Sequence, residues 1–148
     1  MDEFLYKEIK DKFALADINP AEVAPLILAH IGDAIYEVVV RTVTLSKGNR
    51  PIEKVHKDAI HYVNAKAQAD AADVLLPLLT EEESDIYKRG RNAKSATKAK
   101  NASIGDYRKA TGFEALMGYL YLKGETARML ELIEKGVIEK PAESRYYE

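Results

Sequence analysis

Apolar residues recur along this chain at helical spacing. Between Pro25 and about Ser46, Ile27, Ile31, Ile35, Val38 and Leu45 form such a row, with Thr42 the one polar break. They predict one long helix. The β-branched run Val38-Val39-Val40 would also suit a strand, but the surrounding 3.6-residue period outweighs it. Asn19-Pro20 reads as a cap followed by a first-turn proline, and Pro25 restarts a helix in the same way. Gly48 ends the element, with Lys47 suited to its C-terminal dipole. Pro51 opens a second helix with Ile52, Val55, Ile60 and Val63 as its inner face. An alanine-rich stretch from Ala65 to Ala72 leads on to Val74-Leu75-Leu76, before Pro77. Thr80-Glu81-Glu82-Glu83 is a capping box, so a helix starts there, carries Ile86 and turns basic. A looser region runs from about Ala93 to Gly105. Ser103 with Asp106 caps a helix carrying Tyr107, Phe113, Leu116, Met117 and Leu120, which Gly124 ends after Lys123. A last helix spans roughly Thr126 to Val137, and the patternless tail from Pro141 to Glu148 is expected to fray. With no strand pair, repeat or low-complexity block, the chain reads as all-α. It reads as one domain over residues 1–148, with a core from about 20 to 138.

Composition narrows the classes. The chain has 148 residues, 22 Lys+Arg and 24 Asp+Glu, a formal charge of −2, and 47% hydrophobic residues. This length buries about two-thirds of its unfolded surface in one domain. The absence of cysteine removes disulfides, thiolate metal sites and cysteine nucleophiles, and fits a reducing cytoplasm. No apolar run approaches the ~20 residues of a membrane helix. Met1-Asp2-Glu3-Phe4 is acidic and lacks the basic-then-apolar pattern of a secretory signal. GxxxxGK[ST], GxGxxG and HExxH do not occur. A globally basic nucleic-acid protein is excluded; a local basic patch is not.

Four features carry candidate chemistry. In Gly32-Asp33-Ala34-Ile35-Tyr36-Glu37, Asp33 and Glu37 lie four apart on one face of the most apolar helix. One reading is a solvated stripe with Glu37 paired to Arg41; the other is a metal-ligating carboxylate on a rigid helix. Gly32 weakens this helix by roughly 1 kcal/mol unless close packing uses it. In Thr111-Gly112-Phe113-Glu114-Ala115-Leu116-Met117-Gly118-Tyr119, Glu114 is a lone acid between two glycines. It is either a rim position or a second carboxylate facing Asp33 across a helix contact, and such a pair could begin a site for a hard cation. The segment Lys88 to Lys100 holds six basic residues and no acid, beside the acidic Glu81-Glu82-Glu83. Lys88, Arg89, Arg91, Asn92, Lys94, Lys98 and Lys100, extended by Arg108 and Lys109, could grip phosphates or form a solvated loop. His56 and His61 share no helical face, and His30 reads as a rim residue near Asp33. No histidine metal site or Ser–His–Asp triad is readable.

Three blocks in this order resemble the ribonuclease III catalytic domain, and more closely its compact bacterial offshoot, Mini-ribonuclease III. They are Leu28 to Glu37 (LAHIGDAIYE), Lys88 to Lys94 (KRGRNAK) and Tyr107 to Leu120 (YRKATGFEALMGYL), within a match from roughly Pro25 to Val137. The resemblance implies an all-α homodimer that hydrolyses double-stranded RNA with Mg2+, leaving 5′-phosphate and 3′-hydroxyl ends. It further implies trimming of a stem in the 23S ribosomal RNA precursor, with a large-subunit ribosomal protein as a possible assistant, and no appended double-stranded-RNA-binding domain. The family's metal site uses four carboxylates. Asp33 and Glu114 match two of them; the other two positions fall on Ala29 and Thr111. Glu37 is a candidate helper on i,i+4 geometry alone. Two other classes stand beside the nuclease: a non-catalytic RNA-binding or ribosome-assembly factor on the same fold, and a helical module docking an acidic protein.

Overall fold

The computed structural model describes residues 5–94 and 103–139. All regular structure among them is helical. The helices are α1 (Leu5–Lys12), α2 (Pro25–Leu45), α3 (Ile52–Val63), α4 (Ala65–Leu75), α5 (Glu81–Asn92), α6 (Ile104–Lys123) and α7 (Thr126–Ile133). Short 3₁₀ turns cover Pro20–Glu22 and Leu76–Leu78, and α7 runs on into a π-helical turn, Glu134–Ile138. No described helix is long and apolar enough to cross a membrane.

Helix ends follow local chemistry. Asn19 accepts from Ala21 N at 3.1 Å before Pro20. Thr80 Oγ1 accepts from Glu83 N at 3.1 Å while Glu83 Oε1 accepts from Thr80 N at 2.9 Å, a complete capping box. Ser103 Oγ accepts from Asp106 N at 3.0 Å. Gly124, at φ 77°, closes α6 in the left-handed region that a side chain disfavours.

Helix α6 is the centre. From Ala110 to Tyr121 every residue is buried except Glu114, so an apolar helix is wrapped on all sides. Helices α2, α4 and α5 surround it. The α2–α6 crossing depends on glycine. A Cβ on Gly32 would lie 1.8 Å from the Glu114 carbonyl oxygen, and one on Gly118 would lie 2.0 Å from the Leu28 carbonyl oxygen. A Cβ on Gly112 would lie 2.7 Å from Tyr87 of α5. Tyr36 and Phe113 pack edge to face in this core, ring centres 5.0 Å apart.

Several sequence expectations are corrected. The buried face of α2 is Leu28, Ala29, Gly32, Tyr36, Val40 and Thr44, one step around from the expected row. Ile27, Val38 and Leu45 of that row are 60%, 56% and 67% exposed. The reason is steric: only the face bearing Gly32 lets α6 come close, so Ile27, Val38 and Leu45 stay outside while Ile31 and Ile35 pack at the edge of the core. In α3, Ile52 and Ile60 are likewise exposed, and Ala59 with the partly buried Val55, Tyr62 and Val63 faces inward. Helices α3 and α4 are separated at Asn64, whose extended backbone and side-chain bond to Ala67 N (2.8 Å) cap a new helix. Helix α1, which buries none of its residues, carried no sequence expectation. The expected tail lies outside the described residues, as do Lys98 and Lys100.

Candidate active site

Gly32 brings the start of α2 onto the middle of α6. Asp33 follows Gly32 directly, and the Glu114 backbone is what Gly32 touches. The crossing therefore sets Asp33 and Glu114 side by side, Asp33 exposed and Glu114 partly buried. Burial pushes the Glu114 carboxyl up to about 8, and a hydrogen bond with Asp33 and the charge of that group push it the same way. An amide from Gln68 of α4 opposes the shift, and Glu37 adds only a minor repulsion. Two acids held this close in a partly dry setting repel each other when both ionise.

Around the pair, polar groups come from the α3–α4 corner. A helix ends with orphan carbonyls, and here side-chain donors meet them. Tyr36 Oη donates to Tyr62 O at 2.8 Å, with its phenol raised by burial and so neutral. Gln68 Nε2 donates to Val63 O at 2.9 Å, and Asn64 Nδ2 donates to Ile60 O at 3.0 Å. Gln68 is only 3% exposed, and its Oε1 is buried with no partner. Sequence analysis missed Gln68. The signal was present: Gln68, Ala71, Ala72 and Leu75 lie at helical spacing on one face, so a glutamine falls on a buried row.

Glu37 accepts from Arg41 Nη2 at 3.0 Å, the ordinary i,i+4 pair. Thr111 turns its hydroxyl back to Tyr107 O (3.0 Å). No group of three or more acidic or histidine side chains suited to a metal occurs among the described residues. The arrangement still fits a hard divalent cation. Two facing carboxylates and an orphaned amide oxygen are oxygen donors that lack a positive partner, and such cations keep several waters when protein ligands are few. His30, His56 and His61 are exposed.

The basic residues divide. Lys88, Asn92, Lys94 and Arg108 are exposed. Arg91 bonds Asn92 Oδ1 (3.2 Å) and lies 5.8 Å from the Tyr87 ring centre. Arg89 is engaged within the fold, donating to Ala21 O at 3.0 Å and Val23 O at 3.4 Å. Lys109 pairs with Asp73 at 2.9 Å. A cleft of about 730 Å³ lined by Glu82, Asp85, Arg89 and Tyr119 shares no residue with the acid pair. The pair reaches the surface through the exposed Asp33.

Comparison with known proteins identifies the family. The Ribonuclease III domain family matches residues 26–125. The chain is 49% identical over 114 residues to Mini-ribonuclease 3 of Thermoanaerobacter sp. (strain X514), covering 77% of this chain and 80% of that protein. It is 54% identical over 110 residues to Mini-ribonuclease 3 of Enterococcus faecalis (strain ATCC 700802 / V583), covering 73% and 83%. A crystal structure of a Fusobacterium nucleatum protein superposes with a TM-score of 0.70 at 32% identity, covering 75% of this chain and 85% of that one. An all-α fold built on the α2–α6 crossing, a domain match over most of the chain and relatives near half identity lead to one conclusion: this chain belongs to the ribonuclease III family, within its Mini-ribonuclease 3 group, endoribonucleases that act on double-stranded RNA with a divalent metal.

Proposed function

We propose that Asp33 and Glu114 hold Mg2+ in this chain, and that the chain hydrolyses phosphodiester bonds of a duplex RNA to leave 5′-phosphate and 3′-hydroxyl ends. The observation that carries the reading is the facing acid pair at the α2–α6 crossing, with Glu114 raised by burial and by Asp33. A bound divalent cation supplies charge neutralisation at the scissile phosphate and an activated water. The protein's part is to hold both carboxylates on rigid helices and to keep Glu114 able to give up its proton on loading. Lys88, Arg91, Asn92, Lys94 and Arg108 contact the phosphate backbone, so selection rests on duplex shape more than on base sequence. Arg89 is left out because it is bonded to Ala21 and Val23.

The working unit is a homodimer that presents one site to each strand. The outward row Ile27, Val38 and Leu45 on α2 supports a second copy docking there. The substrate is a stem of the 23S ribosomal RNA precursor, processed in the cytoplasm, with a large-subunit ribosomal protein able to assist. The test is cleavage of a labelled RNA duplex in Mg2+ and in EDTA, wild type beside Asp33→Asn, with duplex binding measured for both. The expected result is cleavage by wild type in Mg2+ only, and binding without cleavage by Asp33→Asn. Wild type that binds but never cuts with any divalent metal would refute the reading and leave a binding factor.

A further inference from the structure

We infer that Gln68 is a positioning residue of the Asp33–Glu114 site: its side-chain carbonyl oxygen accepts from the water shell of the cation held there. This rests on the metal reading proposed above. The two ends of the amide tell different stories. Nε2 donates to Val63 O, the last carbonyl of α3, at 2.9 Å. That bond accounts for the buried donor and fixes which way the amide faces, because the flipped amide would set Oε1 against another acceptor. It does not account for Oε1, which is buried and unpartnered in a side chain 3% exposed. A buried acceptor without a donor costs about 1–3 kcal/mol, so such atoms in folded proteins normally have a partner. A protonated Glu114 can supply the donor before the metal arrives, but with the cation bound Asp33 and Glu114 are both ionised acceptors and cannot. Water on a cation can, since coordination polarises its protons outward.

The chemistry of the amide also suits the place. A third carboxylate would add charge to two acids that already repel. A neutral carbonyl adds an acceptor without adding charge. Its position is fixed by the same bond that satisfies the end of α3, so the acceptor is ordered before any metal arrives. Groups that orient a metal's surroundings in this way typically change its affinity by 10–100-fold when removed.

Gln68→Met keeps the length of the side chain and removes both polar atoms. Binding of Mn2+, read from the free-ion electron paramagnetic resonance signal, is compared in wild type, Gln68→Met and Asp33→Asn. The expected result is measurable binding by wild type, loss of binding in Asp33→Asn, and about tenfold weaker binding in Gln68→Met. Gln68→Met that binds Mn2+ as wild type does, while Asp33→Asn does not, overturns this inference alone. Wild type without Mn2+ binding, or Asp33→Asn binding as wild type does, overturns the metal reading and this inference with it. A lower melting temperature in EDTA is common to Gln68→Met under either role, so affinity is the deciding readout. Should Gln68→Met fail to fold, the wild-type protein decides by nuclear magnetic resonance. The Gln68 Cδ carbon shifts in step with Mg2+ occupancy if Oε1 gains a donor, and an unmoved Cδ at saturation overturns the inference.

Discussion

Replacing Glu114 by Gln tests the energetic core of the site. Burial, then Asp33, holds the carboxyl at about 8, against an ordinary value of 4.5. The folded protein therefore favours the protonated form. That contribution to stability is fully present below about pH 4.5 and is lost as pH rises through about 8. Each pH unit of the interval is worth about 1.4 kcal/mol, so complete ionisation costs on the order of 5 kcal/mol. At pH 7 most of the interval has been crossed, and the cost is about 3 kcal/mol. Relaxation and water at the open side of the pair reduce this to roughly 1.5–3 kcal/mol. Glu114→Gln is nearly isosteric, stays neutral and can still donate to Asp33. In EDTA it should match wild type near pH 5 and exceed its stability increasingly up to about pH 8. Urea melts at fixed pH values, with one slope shared between the proteins, measure the difference. Adding Mg2+ should reverse the order, because a ligand that binds the native state of wild type alone stabilises wild type alone. A difference in EDTA that does not change with pH would refute the argument.

Gly32→Ala should cost several kcal/mol or abolish cooperative melting, because its Cβ would lie 1.8 Å from a backbone oxygen that cannot yield; circular dichroism melting measures this, and a melting temperature within a few degrees of wild type contradicts it. Val38→Glu, on the outward apolar row of α2, should give a monomer with unchanged helix content by light scattering, and a persistent dimer would place the interface elsewhere. Arg128→Met should lose about 3–5 kcal/mol in denaturant melts, because it strips the ion-pair partner at 2.8 Å from Glu83, whose side chain is 5% exposed. Lys88→Met should lower the slope of duplex affinity against salt by about one phosphate contact, whereas Arg89→Met should lower stability and leave that slope alone.

The helix ends were legible because capping is decided within four residues. Thr80 with Glu83, Ser103 with Asp106, and Gly124 each carry their whole signal locally. The inward face of α2 was not legible. Both of its apolar rows are hydrophobic enough for a core, and the choice between them belongs to α6, which needs the glycine side. Asn64 shows a local signal overridden by a longer pattern: it is a good N-cap, but the apolar row of α3 and the alanines of α4 read as nearly continuous across it. At the site, Asp33 and Glu114 were visible as lone acids in apolar helices. Their meeting was only one of two readings of Glu114 and otherwise came from the family resemblance, since no local pattern reports a contact between residues about eighty positions apart. The basic character of α5 was equally plain, yet charge alone does not reveal that Arg89 is bonded to two carbonyls.

The fold can afford an acid pair at its centre because the same contact that creates the cost also creates the core. Gly32 and Gly118 let the backbones of α2 and α6 touch, and that approach seals Leu28, Tyr36, Val40, Phe113, Leu116, Met117 and Leu120 away from water. Each such side chain contributes about 1.5–3 kcal/mol on burial, so two or three of them offset the ionisation of Glu114. The pair cannot relax by moving apart, because separating Asp33 from Glu114 means separating Gly32 from the Glu114 carbonyl and opening the core. Packing thus holds two acids together, and on the metal reading proposed above a divalent cation relieves the repulsion that their ionisation creates. That cation would bind at a place the helices have already fixed. Two carboxylates suffice for such a site only if the crossing is rigid, which is why substitution at Gly32, a residue with no chemistry of its own, should damage metal binding as surely as substitution at Asp33.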